Sequence, residues 1–588
     1  MLEKNTLITS VKKKHKPNYK YLTHGCLNLG EEIHEENILF NHPWDEKKKY
    51  LKDIKEIKRT YNYLIRKISF TLNNHFKIKK DVRYWTILLG PWLHIFIGTY
   101  FEKNILLCKL LKYKKNLNIP LVDYKIKDIV PDSYHTFLNL TLYSAAWQDY
   151  LFKTIALRKK FNKNFNLIKK KGKKNYEKKF VYSKFNLISY FKISLIKILG
   201  FIFYFRLKKQ NLVFFDTYLT FKYNFLLILK NFSIPFFINE KKIENSFNYN
   251  LRKNLIKTCN IENKNYGDIF ETTILNLPKD FLENYEQIKK KIFTSNIAKN
   301  PKVIFTSNGM YPSSYKTIYI AECVSNNSKL ILAQHGGRYG NVKRFFELDH
   351  ETEISDNFIS WGKKKFHQKV VNFGTIKSIK EFRALRVNNS KNILFVILSK
   401  GRFIRGFDSE INLKELYNYY NNICPKFYSG LENKLKKYLT FRSNQKVYWN
   451  ENSFLLDTCK LAQLDSNRQK RKFLDVAKKS NIVVCSYLST TFIELLIANL
   501  PVILFTPFSL ESYNKETLKI LKNLKKNKIF FNGPVEASRF INQNWKNIYK
   551  WWYDKKVQDS RKLFLKNFSI VNQNLFDDIQ SLIEKNKK

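Results

Sequence analysis

Short, uninterrupted apolar runs alternate with helical stretches through the second half of the chain. In residues 481–505 the apolar run Ile482–Cys485 is followed by a hydroxyl turn, an apolar helix from about Phe492 to Asn499 and a second apolar run at Val502–Phe505. Runs that are apolar at every position indicate strands buried on both faces, as in a parallel sheet. This order predicts a βαβ unit, whose ligands bind beyond the carboxyl ends of the strands.

The same alternation extends upstream and divides the chain into parts. Further buried strands are predicted at residues 211–215, Val303–Thr306, Leu330–Ala333, Phe358–Ser360 and Ile393–Leu398. Before residue 211 the spacing is helical, with a charged helix from Glu46 to about Asn74 and an apolar helix that ends near Leu111. We therefore predict a helical N-terminal region at 1–210, a first α/β domain at 211–380, a second at 390–544 and closing helices at 545–588.

Two stretches of the N-terminal region differ from the rest. Residues 158–184 are lysine-rich with almost no hydrophobic period, which predicts an exposed insertion. Residues 186–205 are apolar and aromatic, but Lys192 and Lys197 leave no run near the roughly 20 residues that a membrane-spanning helix needs. We expect a packed helix there, with a helix lying on an anionic membrane surface as the alternative.

The charge of the chain is extreme. Its 106 basic and 49 acidic residues give a formal net charge of +57 over 588 residues. Nucleic acid and anionic membrane are possible partners for such a chain. The basic residues are spread along the chain, however, and no known nucleic-acid-binding motif accompanies them. We therefore favour compositional drift toward lysine and asparagine over nucleic-acid binding, and leave peripheral membrane contact open.

The cysteines and the N-terminus bear on the compartment. The seven cysteines are scattered without a CxxC pair, which argues against a disulfide framework or a structural zinc site. The opening residues Met1 to Asn5 lack the apolar core of a signal peptide. We expect a cytoplasmic protein.

The first candidate site directly follows the predicted strand Leu330–Ala333. It reads Gln334-His335-Gly336-Gly337-Arg338-Tyr339-Gly340. Glycines expose backbone N–H groups and allow a ligand to approach closely, and histidine titrates near neutral pH. We interpret His335 as a base or phosphate-binding group and Arg338 as a phosphate partner, against the alternative of a purely structural turn.

Two further turns follow predicted strands of the second domain. Ser399-Lys400-Gly401-Arg402 is a small basic turn suited to a diphosphate, and Arg442 is a possible additional charge. The hydroxyl turn Ser489-Thr490-Thr491 starts a helix whose free N–H groups favour an anion, and Glu494 is placed one turn further on for a ribose or sugar hydroxyl. The competing interpretation is a capping box from Thr491 to Glu494, which needs no ligand.

Metal-binding signals are missing from the sequence. It has no HExxH motif, no DxD between apolar runs, no Walker A motif and no GxGxxG. The carboxylates nearest His335 in sequence are Glu347, Asp349, Glu351 and Glu353, and we interpret them as a solvated face.

Several motifs together resemble a transferase family of bacterial surface-carbohydrate (O-antigen) biosynthesis clusters, and the likeness covers almost the whole chain. The motifs are His42-Pro43-Trp44-Asp45, Leu72-Asn73-Asn74-His75, Arg83-Tyr84-Trp85 with Leu89-Gly90-Pro91-Trp92-Leu93, Asp216-Thr217-Tyr218, Gln334 to Gly340, Ser360-Trp361-Gly362, Ser489 to Glu494 with Leu500-Pro501, and Trp545 with Trp551-Trp552 and Phe564. The expanded 158–184 stretch and the loosely matching Ala146-Trp147-Gln148-Asp149 depart from the family pattern.

The resemblance implies an α/β, GT-B-like fold, in which two Rossmann-type domains face a cleft and the C-terminal helices cross back. It further implies that the C-terminal domain holds a nucleotide-activated donor, with Ser489, Thr490 and Thr491 at its phosphates and Glu494 on its ribose. His335 would face the donor from the first domain, with Gln334, Gly336, Gly337, Arg338, Ser399 and Arg402 as further donor contacts. Such enzymes generally work without a bound metal or other cofactor.

Four functions fit these expectations. The first is transfer of a sugar from a nucleotide-activated donor to a glycan or lipid-linked acceptor of surface polysaccharide. The second is transfer of a polyol phosphate from a CDP-activated donor. The third is nucleotide-sugar epimerisation, which calls for cleft carboxylates that the sequence does not reveal. The fourth is non-catalytic binding at a membrane surface.

Overall fold

The structure is a computed structural model. It describes residues 7–8, 20–30, 38–112, 118–157, 166–171, 210–236, 238, 240, 243, 247–262, 264–363, 367–377, 379, 391–403, 412–443, 449–465 and 471–588. The 186–205 segment and most of the 158–184 stretch lie outside these residues, so both predictions stay untested. Among the described residues, no helix is long and apolar enough to cross a bilayer.

Two long helices dominate the N-terminal region. Buried residues of the first recur every three or four positions, as at Ile54, Ile57, Tyr61 and Leu64, so one face packs inward. The second is apolar almost all round and is buried along most of its length, and the side chain of Asp81 caps its start. The helices are α1 Lys47–Phe76, α2 Val82–Leu110, α3 Ile126–Ile129, α4 Tyr134–Tyr143 and α5 Ala145–Ala156.

Short strands also occur in this region, which the sequence predicted to be helical. They are β1 Leu7–Ile8, β2 Lys20–Tyr21, β3 Ile38–Leu39, β4 Asn118–Asp123 and β5 Asn166–Lys171. The first three form one small parallel sheet, and β4 pairs with β5. Two-residue strands are too short to show an alternating pattern, so periodicity could not reveal them.

The first α/β domain contains a five-stranded parallel sheet. Its elements are β6 Leu212–Phe215, α6 Phe221–Asn231, α7 Tyr249–Thr258, α8 Lys264–Asn276, α9 Tyr285–Thr294, β7 Val303–Thr306, α10 Ser314–Ser325, β8 Lys329–Ala333, α11 Phe346–Ile354, β9 Asn357–Ser360 and β10 Val370–Asn372. The strand order is β10-β9-β8-β7-β6, so the sheet winds in one direction without a reversal.

The second α/β domain contains a six-stranded parallel sheet. Its elements are β11 Ile393–Val396, α12 Leu413–Asn418, α13 Cys424–Ser429, α14 Asn433–Lys436, β12 Leu439–Arg442, α15 Glu451–Thr458, β13 Gln463–Leu464, α16 Phe473–Ala477, β14 Ile482–Cys485, α17 Thr490–Ile497, β15 Val502–Phe505, α18 Lys515–Lys526, β16 Phe530–Phe531 and α19 Pro534–Asn544. The strand order β13-β12-β11-β14-β15-β16 is that of a Rossmann sheet, which reverses between β11 and β14.

Both sheets are buried on their two faces, as the continuous apolar runs predict. Along β11, Ile393 and Phe395 enter one hydrophobic core while Leu394 and Val396 enter the other. One face of the first sheet shares its core with α1 and α2. The N-terminal helices therefore pack as a layer on the first domain.

The C-terminal helices return from the second domain to the first. They are α20 Ile548–Trp552, α21 Lys555–Phe568 and α22 Leu575–Lys587. Phe564 packs in the core of the second domain, whereas Ile579 packs against the first sheet. Two parallel-sheet domains with a crossing C-terminus form the GT-B-like architecture that the family resemblance implied.

Candidate active site

A cavity of about 420 Å³ lies between the two α/β domains. Its lining includes the loops that follow β8, β11 and β14. Because the second sheet reverses between β11 and β14, two of these loops lie at the point where such sheets bind ligands. Helices α2 and α4 complete the wall with His94, Tyr134 and Leu142. The N-terminal layer therefore takes part in the site.

Gln334 braces the loop that carries the candidate base. Its amide oxygen accepts from the N–H of Trp361 at 2.9 Å, and its amide nitrogen donates to the carbonyl of Gly336 at 2.8 Å. Both ends of this buried amide are thus engaged by backbone. Gln334 therefore supports the loop and is not among the residues that line the cavity, and its role as a donor contact stays a prediction.

His335 is part of a hydrogen-bonded group of four side chains. Its Nε2 lies 3.1 Å from Oε1 of Glu351 and 2.7 Å from the hydroxyl of Tyr339. Tyr339 donates to Oε2 of Glu351 at 2.9 Å, and Tyr311 donates to Oε1 at 2.6 Å. The carboxylate has no solvent exposure, so these three partners replace its water shell.

The interpretation of the nearby acidic residues as one solvated face is wrong for two of the four. Glu351 is fully buried and Glu347 lines the cavity, whereas Asp349 and Glu353 are exposed. Residues four apart lie on the same face of a helix, and the face of α11 that carries Glu347 and Glu351 is turned toward His335. The cleft is therefore lined by the Glu347 carboxylate, and the buried Glu351 carboxylate contacts His335 without lining the cleft itself.

This environment favours the protonated imidazole. Burial lowers the pKa of His335, but the charge and hydrogen bond of Glu351 outweigh burial, so the pKa is raised above 6.5. Burial and then the charge of Glu351 raise the pKa of Tyr311 and of Tyr339 well above 10. Both hydroxyls therefore stay protonated and donate to the carboxylate.

The same contacts decide which nitrogen of His335 can accept a proton. Glu351 is an acceptor, and the Tyr339 hydroxyl donates its own proton to Glu351. Both neighbours of Nε2 therefore act as acceptors, and Nε2 carries the proton in the neutral ring. Nδ1 keeps its lone pair and is the basic atom.

The glycines after His335 meet the second domain. The N–H of Gly337 donates to Oγ1 of Thr490 at 2.8 Å, across the cleft. Gly336, Gly337 and Arg338 all line the cavity. The guanidinium of Arg338 lies 5.0 Å from the ring centroid of Phe345. The structure thus brings these three predicted residues together with His335.

The side chains of the turn after β11 point to two different parts of the structure, the cavity and the N-terminal segment. Ser399 and Lys400 line the cavity, and Ser399 donates to the buried carboxylate of Glu451 at 3.0 Å. Arg402 instead donates to the carbonyl of Leu27 at 2.7 Å, and its guanidinium lies 5.0 Å from the ring centroid of Trp449. Arg402 therefore connects the N-terminal segment to the second domain, and its predicted diphosphate contact stays a prediction.

The helix after β14 presents an uncapped start to the cavity. Ser489 is the N-cap residue of α17, but its side chain makes no capping hydrogen bond. The helix thus starts two residues earlier than the competing interpretation, a capping box from Thr491 to Glu494, requires. Ser489 and Thr490 line the cavity, while Thr491 and Glu494 follow along the helix.

Glu494 connects the two domains. Its Oε1 lies 2.8 Å from Nζ of Lys377, which follows the last strand of the first sheet. The ion pair is partly exposed. The predicted contact of Glu494 with a ribose stays a prediction.

Sequence reasoning missed several lining residues. Tyr339 stands inside the motif that contains His335, and the motif itself was the signal. Lys400 stands between two residues that the sequence singled out, but one lysine among so many carries no signal. Tyr311 and His94 come from separate elements, and only the packing of these elements brings them to the cavity. Glu351 has no solvent exposure and reaches His335 from a further element.

A family model described as LIC12162 family transferase matches residues 7–583. The chain belongs to this transferase family. It is therefore a transferase, and the N-terminal layer and the crossing C-terminal helices both lie within the family match. No curated protein matches the chain.

Solved structures share a weak overall likeness with this transferase. Acinetobacter baumannii MurG is 13% identical over 62% of this chain and 88% of its own, with a TM-score of 0.30. The wall teichoic acid polymerase TagF is 12% identical over 68% of this chain and 98% of its own, with a TM-score of 0.34. S. aureus TarM is 11% identical over 52% of this chain and 59% of its own, with a TM-score of 0.31. TM-scores this low carry no argument about the fold. The GT-B-like architecture is assigned instead from the two parallel sheets of this chain.

Proposed function

We propose that this transferase moves a glycosyl group from a nucleotide-activated donor to a hydroxyl of a glycan or lipid-linked acceptor. The observation that carries the proposal is the pairing of His335 with the buried Glu351 in a cavity whose other side is formed by Lys400 and the start of α17. A base and an anion-binding surface then face each other across one cavity, as transfer from a diphosphate requires.

The reaction follows from these positions. The acceptor hydroxyl gives its proton to Nδ1 of His335 while its oxygen bonds to the anomeric carbon of the donor. The bond between that carbon and the diphosphate oxygen breaks, and the nucleoside diphosphate leaves with the electron pair. Glu351 stabilises the imidazolium that forms, and Lys400 with the first N–H groups of α17 meets the charge on the leaving group. Arg338 is placed to add a second positive charge.

Nucleotide-sugar epimerisation is a second candidate, and two carboxylates close to His335 favour it. Glu347 lines the cavity next to His335, and Glu351 contacts the imidazole directly. An epimerase needs no acceptor, so donor alone distinguishes the two reactions.

The decisive experiment identifies the nucleotide product. The protein is incubated with UDP-, GDP-, CDP- and dTDP-linked donors, with and without glycan acceptors, and products are separated by ion-exchange chromatography. Glycosyl transfer gives a nucleoside diphosphate only when acceptor is present. Polyol phosphate transfer gives CMP, and epimerisation changes the sugar without an acceptor. Donors that raise the melting temperature are selected first.

His335→Gln is expected to abolish the product, while His367→Gln, at an exposed turn before β10, leaves it unchanged. Full activity in His335→Gln contradicts the proposed chemistry. Within the same proposal, the family resemblance supports a place in surface-polysaccharide (O-antigen or capsule) assembly. The net charge of +57 separately favours contact at the inner face of the membrane. Flotation of the protein with anionic and neutral vesicles tests that contact.

A further inference from the structure

The motif Asp216-Thr217-Tyr218 follows β6 and has no part in the chemistry described so far. Its flanking residues Thr217 and Leu219 are buried, but the side chain of Tyr218 is 41% exposed. An aromatic residue that only fills a core would be covered. The chain turns this ring outward between two buried neighbours.

The backbone of this turn has an unusual conformation. Asp216 has φ +45° and Tyr218 has φ +59°, the left-handed region that residues with a side chain seldom adopt. Such conformations persist where the surrounding structure fixes them. Here Ser307 donates from its N–H to the carbonyl of Asp216 at 3.1 Å and from its hydroxyl to the carbonyl of Thr217 at 2.9 Å. These two bonds from Ser307, the residue after β7, hold the turn in place. The turn in its place sets the direction of the Tyr218 ring.

The ring of Tyr218 lies beside the candidate base. Its plane is within 15° of the imidazole plane of His335, and the two centroids are 6.4 Å apart. The hydroxyl of Tyr218 accepts from the amide of Asn308 at 2.9 Å. Nζ of Lys377 lies 5.4 Å from the ring centroid and also pairs with Glu494 of the second domain. The ring is therefore held at its edge and by a cation while much of its surface stays open.

We propose that Tyr218 is a substrate-contacting residue, whose ring is a platform for a pyranose ring of the acceptor. This inference rests on the proposed function. One face of a pyranose carries C–H groups, which pack on an aromatic face, while its hydroxyls project from the rim. An acceptor sugar placed on Tyr218 directs a rim hydroxyl toward His335, where its proton is taken.

Substitutions of Tyr218 by glycine and by phenylalanine separate the contribution of its ring from that of its hydroxyl. Glycine adopts φ +59° without steric cost, so Tyr218→Gly removes the ring and leaves the turn in place. Tyr218→Phe keeps the ring and removes only the bond from Asn308. Phe232→Gly is the matched control, because Phe232 is also an exposed aromatic residue, at φ +48°, in the C-cap position of α6.

Sugar binding is measured by saturation-transfer-difference NMR with a panel of methyl hexopyranosides, and nucleotide binding by calorimetry with UDP, GDP, CDP and dTDP. We expect at least one pyranoside to bind wild type, Tyr218→Phe and Phe232→Gly alike, and to bind Tyr218→Gly about tenfold more weakly. Nucleotide affinity should be the same in all four proteins.

The two assays separate this inference from the proposed function. Equal pyranoside binding by wild type and Tyr218→Gly overturns the platform and leaves the donor chemistry intact. Nucleotide binding with no pyranoside binding to the wild type also overturns the platform alone. A wild-type protein that is folded and binds neither ligand overturns both proposals.

Discussion

Gly337 donates its backbone N–H to Oγ1 of Thr490 at 2.8 Å, and this bond connects the loop of His335 to the second-domain side of the cleft. The same loop continues into an antiparallel bridge between Val342 and Tyr513. The position of the base relative to the start of α17 is therefore fixed by direct contact between the domains. Catalysis by positioning depends on such contacts to within about an ångström.

Gly337→Ala should separate the two sides of the cleft. A Cβ at residue 337 would lie 2.6 Å from the backbone nitrogen of Thr490 and 2.8 Å from the carbonyl carbon of Ser489. Backbone on both sides leaves no flexible group to yield, so we expect a loss of about 1–3 kcal/mol in unfolding free energy and a similar loss in nucleotide affinity. Thermal unfolding and calorimetry measure the two quantities.

The neighbouring glycine is the control for this change. A Cβ at Gly336 would have its nearest neighbours at 3.8 Å, which is ordinary contact. Gly336→Ala should therefore unfold at the wild-type temperature. If the two variants behave alike, close approach at residue 337 does not set the cleft.

Glu351→Gln should move the pH dependence of the reaction. The base must be neutral, so kcat/KM of the wild type rises with pH through the pKa of His335, with a midpoint above 6.5. Glutamine keeps the shape but removes the charge that raises this pKa. We expect the midpoint to fall and the rate at high pH to drop about 100-fold, because the imidazolium loses its counter-charge. The profile is measured from about pH 5 to pH 9, and an unchanged midpoint would show that Glu351 does not act on His335.

This pair shows what sequence could and could not predict. His335 was visible because Gln, His, Gly and Arg follow a buried strand, where parallel sheets bind ligands. Its partner Glu351 lies on another element, α11. Acidic residues occupy alternate positions there, and this spacing does not show which of them is buried. Only the rotation of that helix buries Glu351 and exposes Asp349, and this rotation comes from packing against β8 and α2.

Arg402 shows how far a local pattern reaches. The basic turn after β11 was correctly placed at the cavity, because the apolar run before it predicts a buried strand. A turn reverses direction within a few residues, however, so neighbouring side chains point to different partners. The residue that faces Arg402 is Leu27, which is 375 positions away in the chain. No local pattern contains such a contact.

Lys400→Ala and Arg402→Ala should therefore have different effects. Lys400 lines the cavity, and loss of a charged partner of the diphosphate should weaken nucleotide binding about tenfold or more, with little change in melting temperature. Arg402→Ala removes the bond to Leu27 and the contact with Trp449, so it should lower the melting temperature by several degrees (about 1–3 kcal/mol) and affect binding less. Calorimetry and thermal unfolding on both variants decide, and the reverse pattern would restore the original assignment.

Buried histidines should make the protein sensitive to acid. Burial lowers the pKa of His350 and of His94 to about 3, and that of His24 to about 4. The unfolded chain binds these protons near pH 6.5 but the folded protein does not, so stability falls as pH drops below 6.5. Each such group contributes at most about 1.4 kcal/mol per pH unit.

His350→Phe tests this effect. Phenylalanine keeps an aromatic ring beside Phe346, on which His350 stacks, and removes one titrating group. The loss of unfolding free energy between about pH 6.5 and pH 5 should become smaller than in wild type. His367→Asn, at an exposed position, should leave the loss unchanged. An equal acid effect in His350→Phe and wild type would mean that His350 does not stay neutral in the fold.

Variants at Glu494 and Lys377 distinguish a ligand contact of Glu494 from its contact between the two domains. Its ion pair with Lys377 is partly exposed, and such pairs contribute about 0–1 kcal/mol. If Glu494 also accepts from the ribose, nucleoside diphosphates should bind wild type and Lys377→Met more tightly than their 2′-deoxy and 3′-deoxy analogues do, and Glu494→Gln should lose this preference. A preference that survives in Glu494→Gln would assign the carboxylate to Lys377 alone. The ribose would then be held elsewhere, and the position of α17 would matter for its uncapped start rather than for its one charged side chain.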